Sequence, residues 1–169
     1  VTVLAGIIVL GGTIAAARAG RIFSSVVFKV LGANHRQEIA GLLSIAEPDV
    51  VYVNNARKAH VEGFGSLQGV IHAKGEMYQY CDSNALAVFN EDEEAVTYWR
   101  SVSNADKSLG FSSRGKSDIT GQSHQKKNGL LITVSFKQQT YDCQVNVQGQ
   151  HNAQNSLAAI TLAQACGVD

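Results

Sequence analysis

Apolar runs of strand length alternate with helix-spaced patterns through the first half of the chain. VTVLAGIIVL (1–10) reads as a buried strand entering a turn, and TIAAARAG (13–20) as the start of a short helix. SVVFKVLG (25–32) is a second strand, and HRQEIAGLLSIAE (35–47) spaces its apolar residues as a helix that stops before Pro48. DVVYVNN (49–55) is a third strand, SLQGVIHAKGEMYQYC (66–81) a helix, and NALAVFN (84–90) a fourth strand. Strands alternating with helices predict an α/β domain with a largely parallel sheet flanked by helices.

The second half changes character. After a helix in NEDEEAVTYWRSVS (90–103) comes a polar stretch, NADKSLGFSSRGKSDITGQSHQKKNG (104–129). GLLITVSFKQQTYDCQVNVQG (129–149) alternates as two strands joined at KQQT, a small antiparallel addition, and NSLAAITLAQACGV (155–168) is a closing helix. No repeat or low-complexity linker divides the chain, so one domain is expected over residues 1–169.

Composition narrows the partners. Fourteen basic and fourteen acidic side chains cancel, which argues against nucleic acid as the main ligand. Cys81, Cys143 and Cys166 are odd in number and form no CxxC pair, as expected of reduced thiols rather than a disulfide framework. Residues 1–17 are apolar and carry no acidic or basic side chain. Gly11, Gly12 and Thr13 interrupt them, and a membrane span needs ~20 residues. A buried strand and turn is therefore preferred to a signal segment.

AGIIVLGGTIAA (5–16) has the outline of a phosphate-binding loop without its lysine. Four further stretches carry chemistry in a recognisable order: LGANHRQEIA (31–40), PDVVYVNNARKAHVEGFGSLQGVIHAKGE (48–76), LAVFNED (86–92) and GQHNAQNSLAA (149–159). Together they resemble the central ATPase domain of the Mur ligases, in the branch that joins D-alanyl-D-alanine to UDP-MurNAc-tripeptide. The likeness is dense over 31–92 and from 149 onward, and is limited to general layout over 93–148.

The resemblance implies ATP-dependent amide formation in the cytoplasm. In that chemistry a substrate carboxylate attacks the γ-phosphate and an incoming amine captures the acyl phosphate, a reaction that needs phosphate clamps and magnesium. It implies ATP and Mg2+ as cofactors, UDP-MurNAc-peptide as partner, no membrane span, and a monomer. Lys74 matches the lysine the family carbamylates, and a carbamate is an anionic oxygen ligand suited to magnesium. The plain alternative for Lys74 is a solvated helix lysine. His60 matches a magnesium-holding histidine, although magnesium prefers oxygen; otherwise it is a loop-end histidine satisfied by the backbone. His35 lies in a shared motif with no assigned role. His151, Asn152 and Asn155 match the adenine-contacting H-N-x-x-N, and asparagine can both donate to and accept from adenine. Capping of the following helix is the alternative for the asparagines.

The chain also departs from the family's pattern. In the phosphate loop Gly11 and Thr13 match, but Ile8 stands where the first glycine belongs and Gly12 where the lysine belongs. A β-branched residue resists the torsions that curl amides around phosphate, and the lysine supplies charge to the β- and γ-phosphates. Val30 replaces a magnesium-binding glutamate, so metal roles for Thr13 and His60 lose a partner. The family's substrate loop is missing between Gly20 and Ser25, and Gln148 and Gln150 replace a proline and an arginine. The family's two flanking domains have no counterpart in these 169 residues. The expectation is a Mur-type core without activity by itself and with no carbamate on Lys74; the alternative is a trimmed α/β scaffold or binding module.

Overall fold

In the computed structural model, residues 13–19, 25–31, 38–56 and 64–167 are described, with side chains from Ile39 onward. The strands are β1 (Thr13–Ala19), β2 (Ser25–Leu31), β3 (Val50–Val53), β4 (Leu86–Asn90), β5 (Lys107–Ser112), β6 (Ile119–Lys126), β7 (Gly129–Phe136) and β8 (Gln139–Val145). The helices are α1 (Glu38–Ala46), α2 (Leu67–Gln79), α3 (Val96–Val102) and α4 (Gln150–Ala165). The strands form one sheet in the order β2-β1-β3-β4-β5-β6-β7-β8.

The centre of that sheet, β3 to β6, is parallel. β3 is buried along its whole length and β4 nearly so, as strands covered on both faces must be. Alternate side chains feed two cores. Val51, Val53, Ala87 and Phe89 pack with Ile39 and Leu43 of α1, Met77 and Tyr78 of α2, and Trp99 of α3. Val50, Tyr52 and Val88 face the other way, onto Ala153, Leu157, Ala158 and Leu162 of α4. Each helix end has its own cause. Ser66 Oγ accepts from Gly69 N at 3.0 Å to start α2. Glu47, at φ 41°, closes α1 just before Pro48, which has no N–H to extend a helix.

Two expectations are corrected. TIAAARAG is not a helix: Thr13–Ala19 is β1, paired antiparallel with both β2 and β3. A parallel crossover needs a dozen or more residues, and only residues 20–24 separate β1 from β2. Pairing on both sides of β1 outweighs the helix propensity of its alanines. Second, the polar stretch 104–129 holds β5 and β6. β6 is exposed over Gln122–Lys126, so alternation is hidden from the sequence there. VTVLAGIIVL lies outside the described residues. The antiparallel addition expected over 129–149 is present as β7 and β8, joined by Lys137 and Gln138 at φ 47° and 64°, the left-handed pair of a tight hairpin.

Register explains the shape of the site end. β5 and β6 share only the pairs Phe111↔Ile119 and Ser112↔Thr120. β6, β7 and β8 therefore climb about 20 Å past the carboxyl ends of β3–β5, at ~3.3 Å per residue. α4 begins beside the tip of this extension and returns along it. Leu157 fills the gap left by Gly121, where an added Cβ would lie 2.7 Å from Leu157 Cδ1. Because Leu157 is fully enclosed, Leu157→Ala is expected to cost about 2–5 kcal/mol in urea unfolding. A loss below 1 kcal/mol would contradict this packing.

Candidate functional site

Three parallel strands end at one edge of the sheet, where open α/β sheets hold ligands. β3 runs into Asn54, Asn55 and Ala56; β4 into Glu91, Asp92 and Glu93; β5 into Ser113 and Arg114. The exit from β3 is held residue by residue. Val53 N donates to Tyr78 Oη at 3.0 Å, and Tyr52 Oη donates to Asn54 Oδ1 at 2.9 Å. Lys74 Nζ donates to Asn55 O at 2.6 Å, and Ala56 N donates to Glu93 Oε2 at 3.5 Å.

Lys74 is thus not a solvated helix lysine. It sits part-buried against the strand exit, and desolvation lowers its pKa while the nearby Glu93 carboxylate works in the opposite direction. The packing of α3 on α2 fits that placement. Gly75 leaves room for Tyr98 and Trp99, whose ring atoms lie 3.0 and 3.2 Å from where its Cβ would be. Trp99 Nε1 donates to Ile71 O at 3.0 Å, fixing α3 on α2.

The ends of β4 and β5 are joined through Asp92. Its carboxylate accepts from Ser112 Oγ at 2.6 Å, and from Ser113 N and Ser113 Oγ, both at 2.7 Å. Ser112 Oγ in turn accepts from Arg114 N and Gly115 N. Burial pushes the Asp92 pKa up, but these donors and the Arg114 charge outweigh it and leave the carboxyl below its ordinary value.

Of the residues matched to the family, several come to this edge. Thr13 pairs with Val53, one end of β1 against the exit of β3, and Val30 sits one step along, opposite Ile14. His151, Asn152 and Asn155 lie in the first turns of α4, on the opposite face of the sheet from Lys74. Helix capping does not account for the asparagines: α4 starts at Gln150 with Gly149 as its N-cap. Gly149 is at φ 94°, and the His151 ring folds over it, 2.9 Å from where a Cβ would be. Asn152 Nδ2 donates to Gln148 O at 2.7 Å. Gly11 and His60 lie outside the described residues.

Among the described residues no group of three or more His, Cys, Asp or Glu is placed to hold a metal ion. An aliphatic residue at position 30 offers no oxygen, and Lys74 is engaged as a donor. Residues 8–12 and His60, which the resemblance sets beside the phosphates and metal, lie outside the described residues. A separate cleft of about 780 Å3 lies at the other end of the strands, beside Asp49 and Ala85, and includes none of these residues.

A model of the Mur ligase middle domain matches residues 26–163. The chain belongs to the Mur ligase family. UDP-N-acetylmuramoyl-tripeptide–D-alanyl-D-alanine ligase of Escherichia coli (strain K12) is 38% identical over 139 residues, covering 81% of this chain and 31% of that protein. The same-named ligase of Haemophilus influenzae is 34% identical over 137 residues. Among solved structures, MurF from Acinetobacter baumannii superposes with a TM-score of 0.73 at 26% identity, over 82% of this chain and 30% of its own. MurF ligase from Thermotoga maritima, in complex with ADP, shares the fold with a TM-score of 0.70 at 21% identity. The chain thus spans about a third of the length of the Mur ligases it matches. No described helix is long and apolar enough to cross a membrane.

Sequence reasoning singled out Lys74 but missed Tyr78, Glu93, Asp92 and Ser112. Their signal was positional: each lies at, or one helical turn from, the polar end of an apolar strand or motif. Asp92 supplies a measurable check. Its folded pKa lies below an unfolded value of about 3.9. Its stabilisation is therefore complete above that value and disappears as pH falls through the folded pKa. Asp92→Asn should cost about 1–2 kcal/mol at pH 7, discounted for partial exposure, with the gap to wild type closing below about pH 4. Equal loss at both pH values would refute the ionic role.

Proposed function

We propose that this chain is the core of an ATP-dependent amide ligase of peptidoglycan synthesis. The reaction would be addition of D-alanyl-D-alanine to UDP-MurNAc-tripeptide in the cytoplasm, and these residues alone do not turn over. The observation that carries the first half is the AHVEGFGSLQGVIHAKGE run, whose lysine lies against the carboxyl edge of the parallel strands. Identity of 38% to a ligase of that name supports the substrate class.

The second half rests on chemistry absent from the residues. ATP with Mg2+ is the family's cofactor pair, and when bound it would activate a carboxylate for amide formation. In this chain Gly12 cannot supply the cation that meets the β- and γ-phosphates, and each such contact contributes about 1.5–3 kcal/mol. Val30 supplies no oxygen to a metal. What the chain's own groups do is hold the edge: Lys74 anchors Asn55, Glu93 meets Ala56, and Asp92 ties β4 to β5. His151, Asn152 and Asn155 would approach an adenine from the start of α4. A non-catalytic scaffold is the second reading, favoured by the Lys74 ammonium being satisfied by a backbone carbonyl.

Titration calorimetry with ATP and magnesium is expected to give no binding in the micromolar range. Micromolar affinity would overturn the disabled-loop reading. Lys74 is expected to remain an unmodified amine in bicarbonate buffer. A resonance for a carboxylated lysine in carbon-13-bicarbonate NMR, absent in Lys74→Arg, would show otherwise.

A further inference from the structure

The Tyr78 side chain is fully buried, and both hydrogen bonds of its hydroxyl go to backbone groups. It donates to Val88 O at 2.8 Å and accepts from Val53 N at 3.0 Å. Those two groups belong to neighbouring strands. The β3–β4 ladder runs Val50↔Leu86, Val51↔Ala87, Tyr52↔Val88 and stops there. The phenol therefore bridges the two strands where their ladder ends. Its ring is clamped by Phe89, stacked at 4.5 Å and 24°, and by Trp99 at 5.8 Å.

Tyr78 lies four residues after Lys74 on α2, so the two side chains leave the same helix face one turn apart. One takes Val53 N, the other Asn55 O. The backbone between them cannot shift without breaking one contact. We propose that Tyr78 is a positioning residue for Lys74: its hydroxyl bridges β3 and β4 at the end of their ladder, and so holds the Asn55 carbonyl where the lysine docks.

Several groups face Lys74 beyond its own helix, and they set what a titration would read. Asn55 O is its hydrogen-bond partner, and Glu93, beyond β4, is the carboxylate that acts on it. Desolvation in this pocket is the first cause that lowers the Lys74 pKa, with Glu93 opposing it. If the β3 exit relaxes, water enters and the ammonium is less penalised. The inference rests on Lys74 marking the functional edge, as proposed above, but its test needs no nucleotide.

The test follows the Lys74 carbon-13 ε resonance with pH in the full chain, assigned by its loss in Lys74→Arg. In Tyr78→Phe the ring packing stays and only the hydroxyl is lost. The midpoint is expected to rise by at least half a pH unit toward the ordinary lysine range. Tyr141→Phe, at an exposed tyrosine, should leave it unchanged. A natively folded Tyr78→Phe with the wild-type midpoint would overturn the proposal. Should that variant not fold, hydrogen exchange on the wild type decides. Val53 N–H is expected to be protected to within tenfold of the Val51 amide, and exchange more than a hundredfold faster would overturn it. A failed ATP titration leaves these outcomes untouched, and an unchanged midpoint leaves the ligase reading untouched.

Discussion

The exit of β3 is the constraint on which the rest of the site end depends. Four consecutive residues, Val53 to Ala56, are each tied by a different group: Tyr78, Tyr52, Lys74 and Glu93. The ties come from both faces of the sheet and from the neighbouring strand. A strand end left alone would have free N–H and C=O groups facing water and would fray. Here the buried Tyr78 hydroxyl takes up Val53 N and Val88 O at the end of the ladder, and the Tyr52 hydroxyl holds the Asn54 side chain. A buried donor or acceptor left without a partner costs about 1–3 kcal/mol, so these contacts hold more by what their loss would expose than by what each adds.

Packing on either side makes that geometry rigid. α2 and α3 bring Tyr78, Phe89 and Trp99 into contact on one face, with Arg100 over the Phe89 ring at 4.4 Å and paired with Glu91. On the other face Tyr52 packs against Phe111 and the α4 core. The stagger between β5 and β6 then decides where α4 starts. Because that helix begins at the tip of the extension, His151 and the two asparagines stand above the strand ends on the face away from Lys74. The two groups of family-matched residues thus lie on opposite faces of the sheet.

Membership of the Mur ligase family rests on residues 26–163, which match its middle domain. Within that span α2, which carries Lys74, packs onto β3 and β4 through Met77 and Tyr78.

By itself, the sequence determined the α/β class, strands β3 and β4 at its parallel centre, the helices that cover them and the hairpin at 129–149, because apolar period and local turn chemistry are properties of short segments. It also carried the family motifs. It misread Thr13–Ala19, where alanine-rich local preference pointed to a helix and pairing with two strands imposed β. It carried no sign of β6 as a strand, since that strand's outer half is solvent-exposed. Only the tertiary structure decided that Tyr78 would bridge β3 and β4, that Lys74 would meet Asn55, and that Asp92 would join β4 to β5. Those contacts span ten to twenty-five residues of sequence, and the chain must close those distances before any of the groups can choose a partner.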